Sequence, residues 1–306
     1  MRRLLSYAVA VARLAVVLLL TLLLIPVQWL ALRLGLGLAD RIPGAYHRMM
    51  LALFSVRVTD RGEPSSARPL LIVSNHVSWL DIPVLSSRTP LTFISKAEIR
   101  VWPLVGLLAR LQRSVFVDRS RRVATRDANE AVAGRLATGL PVVLFCEGTT
   151  GDGNRLLPFR SALLGAAREA SSAAAADGEA GGGVVQPVTI AYVGRAGLPL
   201  GRAGRPLVAW YGDMDLGPHL MTFLRSGPFE AVVIWGEPEP MGPANARKAL
   251  AVRLEGCVRD ALQEAYSGRA PEPARETAHA PETGSSAPTA ALGSSQPGPQ
   301  ALHPAA

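Results

Sequence analysis

The hydrophobic pattern divides the chain into an apolar start, a mixed middle and a polar end. Residues 14–32 form an uncharged run, close to the ~20 residues a helix needs to cross a bilayer. Pro26 interrupts the run and predicts a kink. Residues 46–54 then mix His47 and Arg48 with Met49, Met50, Leu51, Leu53 and Phe54, as in an amphipathic helix lying in a membrane interface. We expect residues 1–55 to be a membrane-embedded helical segment, a kinked pair in preference to a plain single span. Arg2, Arg3 and Arg13 precede the run and Arg33, Arg41 and Arg48 follow it, so charge does not set an orientation. No clear small-x-small site precedes Asp40, so a cleaved leader is not expected.

From Val56 the pattern changes to short apolar runs alternating with helical stretches. Strands are expected at residues 56–58, 69–74, 91–95, 115–117, 142–145, 185–192 and 231–235. Helices are expected between them, at 82–86, 101–111, 122–138, 161–175 and 218–225, with a closing helix at 244–266. Residues 176–183 read as a flexible loop. The alternation predicts an α/β domain over residues 56–266, with a mostly parallel sheet flanked by helices. Residues 267–306 are rich in Pro, Ala, Ser, Gly and Thr. Such a tail buries too little surface to offset ordering entropy and is expected to be disordered.

Composition strengthens the membrane reading. Apolar residues make up 49% of the chain, and the net charge is +8. Lys96 and Lys248 are the only lysines. A basic surface suits anionic lipid or nucleic acid, but no zinc-finger or aromatic RNA-binding signature is present, and the apolar N-terminus favours lipid. Two cysteines, Cys146 and Cys257, make no disulfide framework and suggest a reducing compartment.

Candidate chemistry begins at Asn75-His76-Val77-Ser78-Trp79-Leu80-Asp81, after the strand at 69–74. The carboxyl end of a buried strand is where α/β sheets usually keep their sites. Across a helix start, the Asp81 carboxylate is within reach of one nitrogen of His76. It would hold the tautomer and leave the other nitrogen to take a proton from a hydroxyl. This is the base-and-orienter half of a triad without a serine nucleophile. The alternative is a helix-capping histidine beside a solvated aspartate.

Three further stretches follow in order. Arg113-Ser114-Val115-Phe116-Val117-Asp118-Arg119 ends a strand with arginines suited to a phosphate or carboxylate, or simply paired with Asp118. Phe145-Cys146-Glu147-Gly148-Thr149-Thr150-Gly151-Asp152-Gly153 offers a Gly-rich loop whose amides suit an anion or oxyanion. Glu147 there would bind a hydroxyl or pin the loop. The stretch lacks a GxGxxG pattern and a Walker lysine, which disfavours nucleotide. Val185-Gln186-Pro187-Val188 places a proline in a strand, marking an edge, a bulge or a site wall. His219, a possible second base, reads as a helix-start residue, and Cys146 as a small buried residue.

Together, in this order, the four blocks resemble those of the phospholipid/glycerol acyltransferases, which include the 1-acyl-glycerol-3-phosphate acyltransferases. The resemblance covers about residues 57–190. It implies a glycerol-3-phosphate acyltransferase-like fold, with His76 as general base and Asp81 as its orienter. It further implies that Asn75, Arg119, Glu147, Gly148 and Thr149 serve the acceptor and that Pro187 lines the acyl site. The default acceptor is 1-acyl-glycerol-3-phosphate, giving phosphatidic acid. Donors would be acyl-ACP or acyl-CoA co-substrates, with no bound cofactor and no metal. Partners would be membrane lipids and the acyl carrier protein or CoA thioester, without nucleic acid. The place would be the cytoplasmic membrane, with the site facing the cytoplasm. The third block departs from the family: Cys146 stands where proline is usual, and Thr150 where an arginine helps bind the acceptor phosphate. This form, with Trp210-Tyr211-Gly212-Asp213-Met214 downstream, is similar to the branch that acylates lyso-ornithine lipids. A catalytically inactive membrane lipid-binding protein is the competing class.

Overall fold

The computed structural model describes residues 2–117, 124–162, 164–165, 183–241 and 247–268. Helix α1 (Arg2–Arg33) runs through Pro26 as one helix, about 48 Å long at 1.5 Å per residue. It is the one helix among the described residues long and apolar enough to cross a membrane. Most of its apolar side chains, including Leu18, Leu19, Leu22, Leu23, Trp29 and Leu30, are exposed. Helix α2 (Leu38–Leu53) is longer than the amphipathic stretch the sequence marks. The Thr21 and Tyr46 hydroxyls, 2.7 Å apart, join the two helices.

The sheet strands are β1 (Val56–Arg61), β2 (Leu70–Ser74), β3 (Thr92–Lys96), β4 (Val115–Val117) and β5 (Val142–Phe145). They continue with β6 (Val184–Arg195), β7 (Leu198–Pro199), β8 (Phe229–Trp235) and β9 (Glu239–Pro240). The main order is β1-β8-β6-β2-β5-β3-β4, with β7 and β9 also pairing to β6. From β6 to β4 all neighbours are parallel; β8 runs antiparallel to β6, and β1 is parallel to β8. The sheet is therefore mostly parallel, as the alternation predicts. Every residue of β2 is buried, which explains why its sequence is a continuous apolar run and not an alternating one.

Helices cover both faces. On one, Leu70, Ile72, Phe145, Ile190 and Tyr192 pack with Leu51 and Phe54 from the α2 end and with Val84 and Leu85 of α3 (Asp81–Ser86). Helix α4 is Val105–Leu111 and helix α5 is Ala124–Leu136. Helix α6 (Leu216–Arg225) adds Phe223 and Leu224 to that first face. On the other face, Leu71, Val73, Val142 and Leu144 pack with Val132 and Leu136 of α5 and with Leu250, Leu254 and Val258 of α7 (Arg247–Ser267).

Differences from the sequence reading have local causes. The helix expected at 101–111 splits: a 3-10 turn, Ala97–Val101, comes first, and Pro103 separates it from α4. Of the helix expected at 161–175, only Ser161, Ala162, Leu164 and Gly165 lie within the described residues, and they are helical. The loop at 176–182 and the tail from residue 269 lie outside them. Pro187 lies in the interior strand β6, not at an edge. Its carbonyl accepts from the Gly236 amide at 2.8 Å. The side that lacks a donor faces the break between β8 and β9, so no ladder bond is lost.

Candidate active site

His76 follows the carboxyl end of β2, and Phe145 is the last residue of the neighbouring β5. The two rings stack, with centroids 3.9 Å apart and planes 10° apart. The imidazole is thereby held flat against an apolar wall at the sheet's carboxyl end.

Asp81 opens α3 and is fully buried. Its Oδ2 lies 2.8 Å from His76 Nδ1 and accepts from the amides of Val77 at 2.6 Å and Ser78 at 2.9 Å. Its Oδ1 accepts from the Tyr192 hydroxyl at 2.7 Å. An ionised carboxylate only accepts, so Nδ1 carries the proton and Nε2 keeps its lone pair. The His76 side chain is 21% exposed, which leaves that nitrogen within reach of a substrate. The pairing the spacing suggests is therefore present, and the capping alternative does not describe this geometry. Burial, and then the Asp81 charge, push the Tyr192 pKa well above its ordinary value, so it stays a donor.

The backbone of His76 is fixed from the Gly-rich loop. Glu147 Oε1 accepts from the His76 amide at 2.6 Å, and Oε2 accepts from Leu157 N–H at 2.8 Å. The Gly151 amide donates to the His76 carbonyl at 2.9 Å. Glu147 is buried, and desolvation raises its pKa to about 8 against the lowering effect of the two amides. It pins the loop, one of the two roles open to it in the sequence. Gly148 has φ +73° and donates to the Phe145 carbonyl at 3.1 Å. The Gly148 and Gly151 amides are thus engaged inside the protein and not turned toward an anion. Thr149 is exposed on the loop.

Asn75 is buried and bridges to β6: its Nδ2 donates to the Ile190 carbonyl at 2.9 Å, and its Oδ1 accepts from the Ile190 amide at 2.8 Å. It ties β2 to β6 just before the histidine. Pro187 is not brought to His76. It pairs with Val73, whose side chain packs on the opposite face of the sheet. Cys146 is buried on that opposite face too. Arg119 lies outside the described residues. His219 is buried on α6, where its Nδ1 accepts from Trp79 Nε1 at 3.2 Å; burial lowers its pKa. Ser74 and Ser78, the nearest serines in sequence, are both fully buried. Among the described residues, no group of three His, Cys, Asp or Glu side chains is placed to hold a metal ion.

Sequence reasoning missed Tyr192 and Arg205. The Arg205 guanidinium lies 3.4 Å over the Tyr266 ring, and its Nη1 donates to Asn154 Oδ1 at 3.0 Å, bracing the end of the loop. Neither residue belongs to a short motif, so no local signal marks them.

Residues 55–191 match the family described as Acyltransferase. The chain is 47% identical over 254 residues to a lyso-ornithine lipid O-acyltransferase of Brucella abortus, spanning 82% of this chain and 92% of that relative. The chain belongs to the acyltransferase family. It is similar over a shorter stretch to a 1-acyl-sn-glycerol-3-phosphate acyltransferase of Neisseria gonorrhoeae, 39% identical over 113 residues, or 36% of this chain and 44% of that one. Its fold is that of the crystal structure of a 1-acyl-sn-glycerophosphate acyltransferase from Thermotoga maritima. The TM-score is 0.58 at 19% identity, covering 89% of this chain and all of that one. The acyltransferase match includes His76, Asp81, Glu147 and Pro187, and it ends one residue before Tyr192.

Proposed function

We propose that this acyltransferase moves an acyl chain from an acyl thioester to the free hydroxyl of a lyso-ornithine lipid, giving the diacyl lipid. The observation that carries the chemistry is the His76–Asp81 pair, in which Nδ1 is held by a buried carboxylate while the imidazole stays 21% exposed. Nε2 takes the proton of the acceptor hydroxyl while the oxygen attacks the thioester carbonyl. The carbon–sulfur bond then breaks, and the imidazolium returns its proton to the departing thiolate. The products are an ester and a free thiol. A buried Ser78 and a Cys146 on the far face support direct transfer without an acyl-enzyme. Acyl-ACP or acyl-CoA serves as co-substrate, and no bound cofactor takes part.

The acceptor reading rests on the extent of similarity. The Brucella relative matches along most of the chain, whereas the glycerol-phosphate enzyme matches over little more than a third. Thr150, in place of the phosphate-binding arginine of the resembled family, agrees with an acceptor that lacks the glycerol phosphate. The default acceptor of the sequence reading therefore becomes the second choice.

We place α1 and α2 in the cytoplasmic leaflet of the cell membrane, with the site facing the cytoplasm. Support comes from contacts along α1: Arg225 lies over the Tyr7 ring, Arg13 donates to Ser55, and Gln28 donates to the Leu111 carbonyl of α4. A helix tied to the folded domain near both ends lies beside it, with its apolar outer face left for lipid.

The test offers purified full-length protein acyl-ACP and acyl-CoA with lyso-ornithine lipid and with 1-acyl-glycerol-3-phosphate, reading products by mass. Acylated lyso-ornithine lipid is expected. Acylation of the glycerol phosphate alone would overturn the acceptor; no acylation of either would overturn the reaction.

A further inference from the structure

We infer that the turn between the 3-10 segment Ala97–Val101 and α4 is a second membrane contact, which seats the mouth of the His76 site on an anionic lipid surface. Four of its five residues are apolar side chains left open to solvent: Val101 is 80% exposed, Trp102 37%, Leu104 39% and Val105 38%. A contiguous apolar patch of this kind on a folded surface marks an interaction site.

The turn is built to project. A Cβ on Gly106 would fall 2.4 Å from the Arg100 carbonyl oxygen and 2.7 Å from that of Ile99, so only glycine lets the chain fold back this tightly. Leu104 is held at φ +60°, in the left-handed region that a leucine rarely adopts. This strain presents a side chain that the protein itself does not bury. An apolar phase outside the protein would give that side chain a place.

Lipid is the occupant the surroundings favour. Lys96, Arg100 and Arg110 flank the turn in sequence and are exposed, and Glu98 is the one acid between residues 96 and 110. Apolar residues within a basic rim suit an anionic membrane surface, and tryptophan is a residue of the bilayer interface. The patch also continues from α1, because α4 meets that helix where Gln28 donates to the Leu111 carbonyl, beside exposed Trp29 and Leu30.

The turn is coupled to the site by one aromatic pair. Trp102 meets Trp210 edge-on, with centroids 6.4 Å apart, and the Trp210 amide donates to the Val77 carbonyl at 3.0 Å, next to His76. Seating the turn in the headgroup layer would bring the histidine to a hydroxyl that stays in the membrane. This inference rests on the proposed lipid acceptor.

The test uses full-length protein in vesicles containing anionic phosphatidylglycerol. A fluorophore is attached at Val101→Cys, in a Cys257→Ser background; the remaining Cys146 is buried. Lipids carrying a nitroxide near the headgroup quench it on contact. About half the emission should be lost, while the same label at Gln263→Cys, exposed on α7, loses under about a tenth. Equal quenching at the two sites would overturn the proposal. Quenching is read separately from acyl transfer on the same protein, so strong quenching with an inactive enzyme would sink the proposed function alone, and an active enzyme without quenching would sink this contact alone.

Discussion

The Tyr192 hydroxyl donates to Asp81 Oδ1 at 2.7 Å across 111 residues of sequence. Every other donor to that carboxylate comes from within five residues of it. The tyrosine is thus the tertiary lock on a locally assembled pair.

Tyr192→Phe removes a donor from a fully buried carboxylate. Hydrogen bonds to charged groups contribute ~1.5–3 kcal/mol, so stability should fall by about that amount in urea unfolding. Turnover should fall roughly tenfold, equivalent to ~1.4 kcal/mol, as His76 loses its fixed partner. A variant with unchanged turnover would show that Asp81 needs no support from β6.

His76→Ala removes the proposed base. Acyl transfer should drop by about 10²–10⁴-fold, the usual contribution of a general base. Vesicle binding by full-length protein should stay unchanged, because the exposed apolar helix α1 is untouched. Retained transfer would refute the mechanism, whereas lost binding would point to an unfolded variant.

Glu147 carries a pH signature. Burial raises its folded pKa to about 8, above the ordinary 4.5 that it takes in the unfolded chain. Below pH 4.5 both states are protonated, and the group adds no slope. Between the two values the folded state binds more protons, so stability falls as pH rises, by at most about 1.4 kcal/mol per pH unit. Glu147→Gln should flatten that slope between pH 5 and pH 8 in urea titrations. An identical slope in both proteins would place the effect elsewhere.

Gly153 and Gly139 both have positive φ, but differ in surroundings. A Cβ on Gly153 would lie 3.1 Å from Val77 Cγ1, whereas Gly139 has nothing within 4 Å. Gly139→Ala should cost only the backbone term, about 1 kcal/mol, and leave turnover alone. Gly153→Ala should cost more and lower turnover, because the Val77 amide holds Asp81. Thermal unfolding and steady-state rates compare the two.

The sequence by itself determined what local spacing and burial determine. The strands at 115–117 and 142–145 appear with the bounds their apolar runs predict, and 142–145 is apolar throughout because all four of its residues are buried. The five-residue spacing of His76 and Asp81 encodes their contact, since a helix start brings such residues together whatever surrounds them. Tertiary structure alone decided the rest. The strand order β1-β8-β6-β2-β5-β3-β4 joins segments far apart in the chain, and no short window records it. Asn75 and Glu147 looked like substrate contacts, yet packing turned both inward, to Ile190 and to the amides of His76 and Leu157. Once β6 covers Asn75 and the loop covers Glu147, their polar atoms must bond within the protein, because a buried polar atom without a partner is too costly to keep. Pro187 was turned to the far face by the two-residue alternation of its strand, which is set by the pairing with Val73 and not by the proline itself.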